Sequence, residues 1–359
     1  MTTMYLLIVT IVLFALFLAL ELAAKNKVKR LLHARTQDDR SKRVEWSRRS
    51  NRLRLAWIAS LAGVLVSGAV TFAGGGPKEY SLSDIHGLGY SPDGQRLYIP
   101  AHNGIKVYSQ GAWSEGPGEK HDYMGFSAVD DGYYSSGHPA PGSNAKNPFG
   151  LVKSTDEGKS FEPLSSYGEI DFHLMSASYR KHTVYALDPM PMSGSKTAFD
   201  SGGLYYTLDE GKTWTKSGAA GVAGQPIALA VHPSDDAIVA IGSSEGLYLS
   251  KDYGQTFEAM LPGSQVTSLF FTEQGDLFAG AYKSGAVLVR VDVNTKTTTE
   301  LVIPALTEDS IAYFAQNPAN EKEYAFATFN RDMYLSNDQG KSWTRIASQG
   351  RTISLQQKE

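Results

Sequence analysis

The apolar positions of this chain fall into two regimes. Residues 4 to 24 form a run broken only by Glu21, and residues 55 to 75 carry no charge at all. Each is long enough to cross a bilayer as a helix, which takes roughly 20 residues. Beyond residue 83 the pattern changes to short β-branched, aromatic and small-residue runs bounded by Gly, Pro and Asp, which is strand chemistry. Six first strands read 84–90, 122–128, 171–177, 226–232, 265–271 and 310–316. Each is followed across a turn by a second strand, at 96–102, 132–138, 183–189, 237–243, 276–282 and 323–329. Third strands such as GLYYT and GLYLS then lead through a turn into a fourth. The pattern predicts a first membrane helix (1–24), an intervening loop (25–54), a second membrane helix or signal anchor (55–75), a linker (76–81) and a β domain (82–359).

An eight-residue phrase punctuates that β domain: STDEGKSF at 154–161, TLDEGKTW at 207–214, SKDYGQTF at 250–257 and SNDQGKSW at 336–343. Its Asp can accept hydrogen bonds from its own turn, its Gly permits a left-handed backbone, and its terminal aromatic can anchor the turn to a core. The Asp residues are separated by 53, 43 and 86 positions, the last being twice 43, with a decayed copy at Asp292. Self-similarity at this period marks propellers and other repeat folds. The phrases resemble the Asp-box, or BNR, repeats of sialidase-like (glycosyl-hydrolase-like) and sortilin-like β-propellers. That resemblance implies an all-β, six-bladed propeller over about 82–348. Seven blades stay open because the first unit has only SQGAW at 109–113. Closure is expected from 351–357 or from 78–82 across the seam. Relatives of this kind include enzymes, sorting receptors and assembly factors, so the resemblance chooses no activity.

Charge divides the chain as sharply as hydropathy does. Residues 25–54 hold twelve Lys or Arg against three acids, which by the positive-inside rule keeps this loop cytoplasmic. The remainder after residue 75 is therefore extracytoplasmic, tethered to the cell membrane by two N-terminal helices. In a signal-peptide alternative, 48–54 is the basic leader and 71–76 the small-residue cleavage site. The exported part carries 22 basic and 33 acidic residues, a net −11, which argues against nucleic acid as partner. With no Cys in the chain, no disulfide holds it.

Candidate chemistry sits where a propeller gathers it, on the face where first strands begin and second strands end. Asp84, Asp122 and Asp171 share one register, and His86, Met124 and His173 another two residues on, which a period of two places on the same side. His102 and His138 end two second strands, Asp188 ends a third, His121 adjoins Asp122, and Glu169 precedes Asp171. This supports three readings, the first being ligand binding, of a glycan or a protein, through His86, His102, His121, Met124, His138 and His173. The second is glycoside hydrolysis by paired carboxylates among Asp84, Asp122, Glu169, Asp171 and Asp188, with Tyr90, Tyr123, Tyr133 and Tyr134 as sugar platforms. The propeller lacks the arginine cluster and Arg-Ile-Pro start of sialidases, so sialidase activity is not implied. The third is a transition metal, the one candidate cofactor, held by His86, His102, His138 and His173. Asp156, Asp209, Asp252 and Asp338 of the repeated phrase read as structural.

Overall fold

The computed structural model describes residues 2–32, 36–73, 78–191, 199 and 202–354, and the chain separates into an N-terminal unit ending at Lys78 and a second unit from Glu79. In the first unit, helices Thr2–Arg30 and Gln37–Ala73 pack antiparallel. Phe14 meets Trp57 edge-on at 6.0 Å, and Lys27 lies 4.3 Å over the Trp46 ring. Glu21, the one charge in the apolar run, accepts a hydrogen bond from Trp57 Nε1 at 3.0 Å and pairs with Lys25 at 2.7 Å. Two expectations need correcting. The basic segment is not a loop: residues 25–30 finish the first helix and 37–54 begin the second. Its residues favour helix, and Asp38 pairs with Lys42 one turn on. Among the described residues one helix, Tyr5–Arg30, is long and apolar enough to cross a membrane. The run at 55–75 is the distal half of a 37-residue helix whose first half is charged. Residues 74–77, which hold half of the small-residue stretch and the start of the linker, lie outside the described residues.

The second unit is a six-bladed β-propeller. Blade 1 comprises strands Gly89–Tyr90, Leu97–Ala101, Gly104–Ser109 and Ala112–Glu115. Blades 2 to 5 repeat the antiparallel order, with first strands Asp122–Val129, Leu174–Ala177, Pro226–Val231 and Gln265–Phe271. Blade 6 begins at Ile311–Asn317 and gains a fifth strand, Arg351–Thr352. That fifth strand closes the ring, because Leu82 N donates to Gly350 O at 2.7 Å and Thr352 N to Tyr80 O at 3.1 Å. Both expected seam segments therefore take part, though 355–357 lies outside the described residues. Among the described residues no strands remain for a seventh blade.

Six hydrophobic clusters hold the ring, one at each interface between neighbouring blades. The two-residue period of a strand explains the division. On Val184–Leu187 of blade 3, Val184 and Ala186 face blade 2, while Tyr185 and Leu187 face blade 4. A blade therefore needs apolar side chains on both faces, which is why its strands read as continuous rather than alternating runs.

The repeated phrase forms the turn between third and fourth strands in blades 2, 3, 4 and 6. In blade 4, Thr256 N and Thr256 Oγ1 donate to the two carboxylate oxygens of Asp252 at 2.9 and 2.6 Å. Gly254 N meanwhile donates to Ser250 Oγ at 2.9 Å. The same bonds recur around Asp156, Asp209 and Asp338. They hold the carboxyls below the usual range, at about 2 for Asp252 and Asp338. Each turn also reaches the preceding blade. Trp214 Nε1 donates to Ser165 Oγ of blade 2, Trp343 Nε1 donates to Val302 O beside blade 5, and a Cβ on Gly254 would lie 2.6 Å from Leu204 of blade 3. The turn residues are thus spent on structure.

Candidate functional site

The first strands line a central channel with a cavity of about 340 Å³. Its wall is mainly apolar, built by residues such as Leu88, Phe126, Leu229 and Phe314, and its histidines are His86 and His173. Both stand at the mouth where first strands begin.

Around that mouth, blades 1 to 3 place two carboxylates, each between two imidazoles. Asp122, 8% exposed, opens the first strand of blade 2. Its Oδ2 lies 2.8 Å from His102 Nδ1 and its Oδ1 lies 3.4 Å from His86 Nε2. Asp171, 7% exposed, has its Oδ2 at 2.9 Å from His138 Nε2 and 3.3 Å from His173 Nδ1. In both cases a His at the end of one blade's second strand reaches the Asp leading into the next blade. The ring geometry dictates this: Asp122 is cross-strand partner of His138, yet their side chains bond to opposite neighbours. Asp171 is further fixed because Ile170–Asp171, on the way into blade 3, pairs with Met190–Pro191, which follows that blade's second strand, as a two-stranded ribbon. Burial pushes the His86 imidazole below its ordinary value, against the opposing pull of Asp122 and Asp84.

Not every candidate joins this group. Met124 is not among the residues of the channel wall; the bulge that follows it, between Met124 and Ser127 with Gly125 at φ 54°, shifts the register, and Phe126 and Ser127 line the wall instead. Corresponding register shifts occur near the start of the first strands of blades 4, 5 and 6. His121 is a core residue: its ring packs against Tyr123, Phe149 and Phe161, and its Nδ1 accepts the Ala140 N–H at 2.9 Å. Asp188 is exposed and caps its own loop through Gly203 N at 2.6 Å. Glu169 is exposed in the turn before Asp171, and Asp84 is exposed beside His86 with its carbonyl accepting His102 N–H. Of the four tyrosines expected as sugar platforms, Tyr123, Tyr133 and Tyr134 are core residues, and Tyr90, though on the channel wall, is only 3% exposed.

The other end of blade 2 carries a cluster that no repeated motif announces. Lys153, 12% exposed, sits 2.9 Å from both Asp131 and Glu210 and 3.1 Å from His182 Nδ1. His182 Nε2 lies 2.7 Å from Asp130. Tyr134 OH donates to Glu210. The residues come from adjacent 1–2 turns, a third strand and the second acidic position of the TLDEGKTW turn. A doubled Asp in a turn, with Arg-Lys-His at the equivalent turn of the next blade, was the only signal in the sequence.

The sequence matches no protein-family profile and no curated protein. Among solved structures, the chain resembles the GH74 enzyme of Niastella koreensis, with a TM-score of 0.51 and 15% identity over 75% of this chain and 46% of that one. It therefore spans less than half of that enzyme. A gluconolactonase from Xanthomonas campestris gives a TM-score of 0.50 at 11% identity, over 71% of this chain and 86% of that one. Likeness at these identities shows the β-propeller fold alone.

Proposed function

We propose that this chain is a membrane-anchored, extracytoplasmic propeller that binds a ligand in its central channel through the mouth formed by blades 1 to 3. The observation that carries the reading is the junction of a mainly apolar cavity with two buried, histidine-flanked carboxylates. Such a combination of apolar walls and few convergent polar groups is the usual build of a ligand site. The cavity, at about 340 Å³, suits a small and mainly apolar ligand or the apolar end of a larger partner. The burial of the expected tyrosine platforms turns the reading away from a glycan. The apolar helix, the basic residues that follow it and the acidic propeller support the anchored, outward arrangement. The four identical turns support assignment of the repeats as Asp-boxes.

Hydrolysis finds no comparable support. A general acid needs a carboxyl free to hand a proton to the bound substrate, whereas Asp122 and Asp171 each have a histidine nitrogen within 2.9 Å that competes for that proton.

Titration with anilinonaphthalene sulfonate tests the binding reading. The purified chain is expected to show a saturable site of enhanced fluorescence. Ala312→Trp, which fills the channel from blade 6, is expected to remove it while circular dichroism stays unchanged. Comparing the two proteins separates the channel from dye taken up by the apolar helix. A folded Ala312→Trp variant that binds like wild type overturns the proposal.

A further inference from the structure

The two carboxylates at the mouth are not equivalent. His138 and His173 both approach the same oxygen of Asp171, and His138 Nδ1 is taken up by Asn147 Oδ1 at 2.7 Å. His102 and His86, in contrast, approach different oxygens of Asp122. The donor atoms of His86, His102 and Asp122 all lie within 4.8 Å of one another. Each carboxylate has one buried oxygen without a hydrogen-bond partner, Oδ1 of Asp122 and of Asp171, but only at Asp122 is a histidine nitrogen, His86 Nε2 at 3.4 Å, left buried and unpartnered beside it. Two buried polar atoms that face a common space without bonding each other are costly unless something fills it.

We propose that His86, His102 and Asp122 hold a divalent first-row transition ion, of the zinc or iron(II) kind, at the channel mouth. Bond lengths of about 2.0–2.2 Å at tetrahedral or octahedral angles put neighbouring ligand atoms roughly 2.9–3.5 Å apart. The contacts of 2.8 and 3.4 Å, made to different oxygens of Asp122, lie close to that spacing, and with all three donor atoms within 4.8 Å a small side-chain adjustment brings them onto one ion. Two imidazoles and one carboxylate leave coordination positions open, and His86 lies on the channel wall, so the ion would present those positions to the cavity. The inference rests on the channel reading and deepens it: the ligand would be one whose polar end carries a metal-coordinating oxygen or nitrogen.

The test uses the full chain without a polyhistidine tag, stripped with chelator and titrated with Zn²⁺ by equilibrium dialysis and with Co²⁺ by visible absorption. One equivalent of Zn²⁺ is expected, with Co²⁺ bands of a low-coordinate nitrogen–oxygen site. His102→Ala, chosen because that side chain is 62% exposed and its loss spares the fold, is expected to weaken Zn²⁺ binding at least about 100-fold, the upper end seen for merely outer-shell partners. His138→Ala is expected to leave it unchanged. Absence of bound metal in wild type, retention in His102→Ala, or equal loss in His138→Ala each overturns the assignment. If metal binding fails while the channel still takes the dye, this inference falls and the binding reading stands. If both fail, both fall.

Discussion

Blade 2 carries a carboxylate–imidazole cluster at each end of its eight-residue first strand, and the two differ in what balances the carboxylates. At the turn end, Asp130, Asp131, Glu210 and His182 surround the ammonium of Lys153, a cation supplied by the chain itself. At the channel end, the ion pairs of Asp122 are all with histidines. The first cluster has its donors and acceptors matched: His182 Nδ1 accepts while Nε2 faces Asp130, and the lysine satisfies two acids. The second leaves buried atoms on His86 and Asp122 without partners. One group of similar residues is thus a structural lock joining blades 2 and 3. The other lacks such a lysine and has room for an exogenous cation.

Removing that lysine is expected to have the largest effect. Lys153→Met leaves Asp131 and Glu210 facing each other uncompensated and should cost about 2–3 kcal/mol in urea denaturation, somewhat below a fully buried pair because the acids are nearly half exposed. It should also open the turn-end cluster to a second equivalent of Zn²⁺. An unchanged midpoint would mean that the network is ornamental, and an unchanged stoichiometry would mean that more than the lysine separates the two clusters.

Asp171→Asn has an intermediate expected effect. Loss of charge-assisted bonds to His138 and His173 should lower stability by about 1–3 kcal/mol. Metal uptake should persist, since the donors belong to the other set. Loss of metal on this substitution would show that the two halves of the mouth act as one site.

Each feature was legible in the residues to the extent that it depends on local pattern. The blades were legible because the turn phrase repeats four times and every blade must bury both faces, which writes apolar runs at regular spacing. The gathering of His86, His102, His138 and His173 around Asp122 and Asp171 was legible for the same reason: equivalent positions of successive blades converge on one mouth. The wall of blade 2 is less legible, because the bulge after Met124 is a backbone event with no clear residue signature and it changes the facing of the residues beyond it, so that Phe126 and Ser127 line the channel and Met124 does not. His121 escaped because its aromatic cage is assembled from three separate segments. The Lys153 cluster escaped because it joins four elements from two blades whose meeting depends on the offset between neighbouring turns. The helical state of the basic segment is not legible in its charge, because composition reports topology, whereas helix continuation depends on propensity and on packing such as Lys27 over Trp46.

The smallest expected effect is a pH dependence that separates the two ends of blade 2. Partial burial favours the neutral form of Glu210, but the Tyr134 hydroxyl and the Lys153 ammonium outweigh it and hold this carboxyl below its ordinary 4.5. A depressed carboxyl contributes stability that is fully present above about pH 4.5 and is lost as pH falls through its folded value. The turn carboxylates Asp156, Asp209, Asp252 and Asp338 are also depressed and act in the same direction, but they do so in wild type and Lys153→Met alike. The difference between the two proteins therefore reports the acids that Lys153 pairs with, Glu210 and Asp131. Urea midpoints measured from about pH 5.5 down to pH 3 should fall less steeply in Lys153→Met. The gap should be at most about 1 kcal/mol, because the Glu210 side chain is 40% exposed and solvent screens the pair. Parallel curves would mean that Lys153 does not set the Glu210 charge. The cation supplied by the chain would then be a neighbour of the acids rather than their counterion, and the contrast with the channel mouth would lose its physical basis.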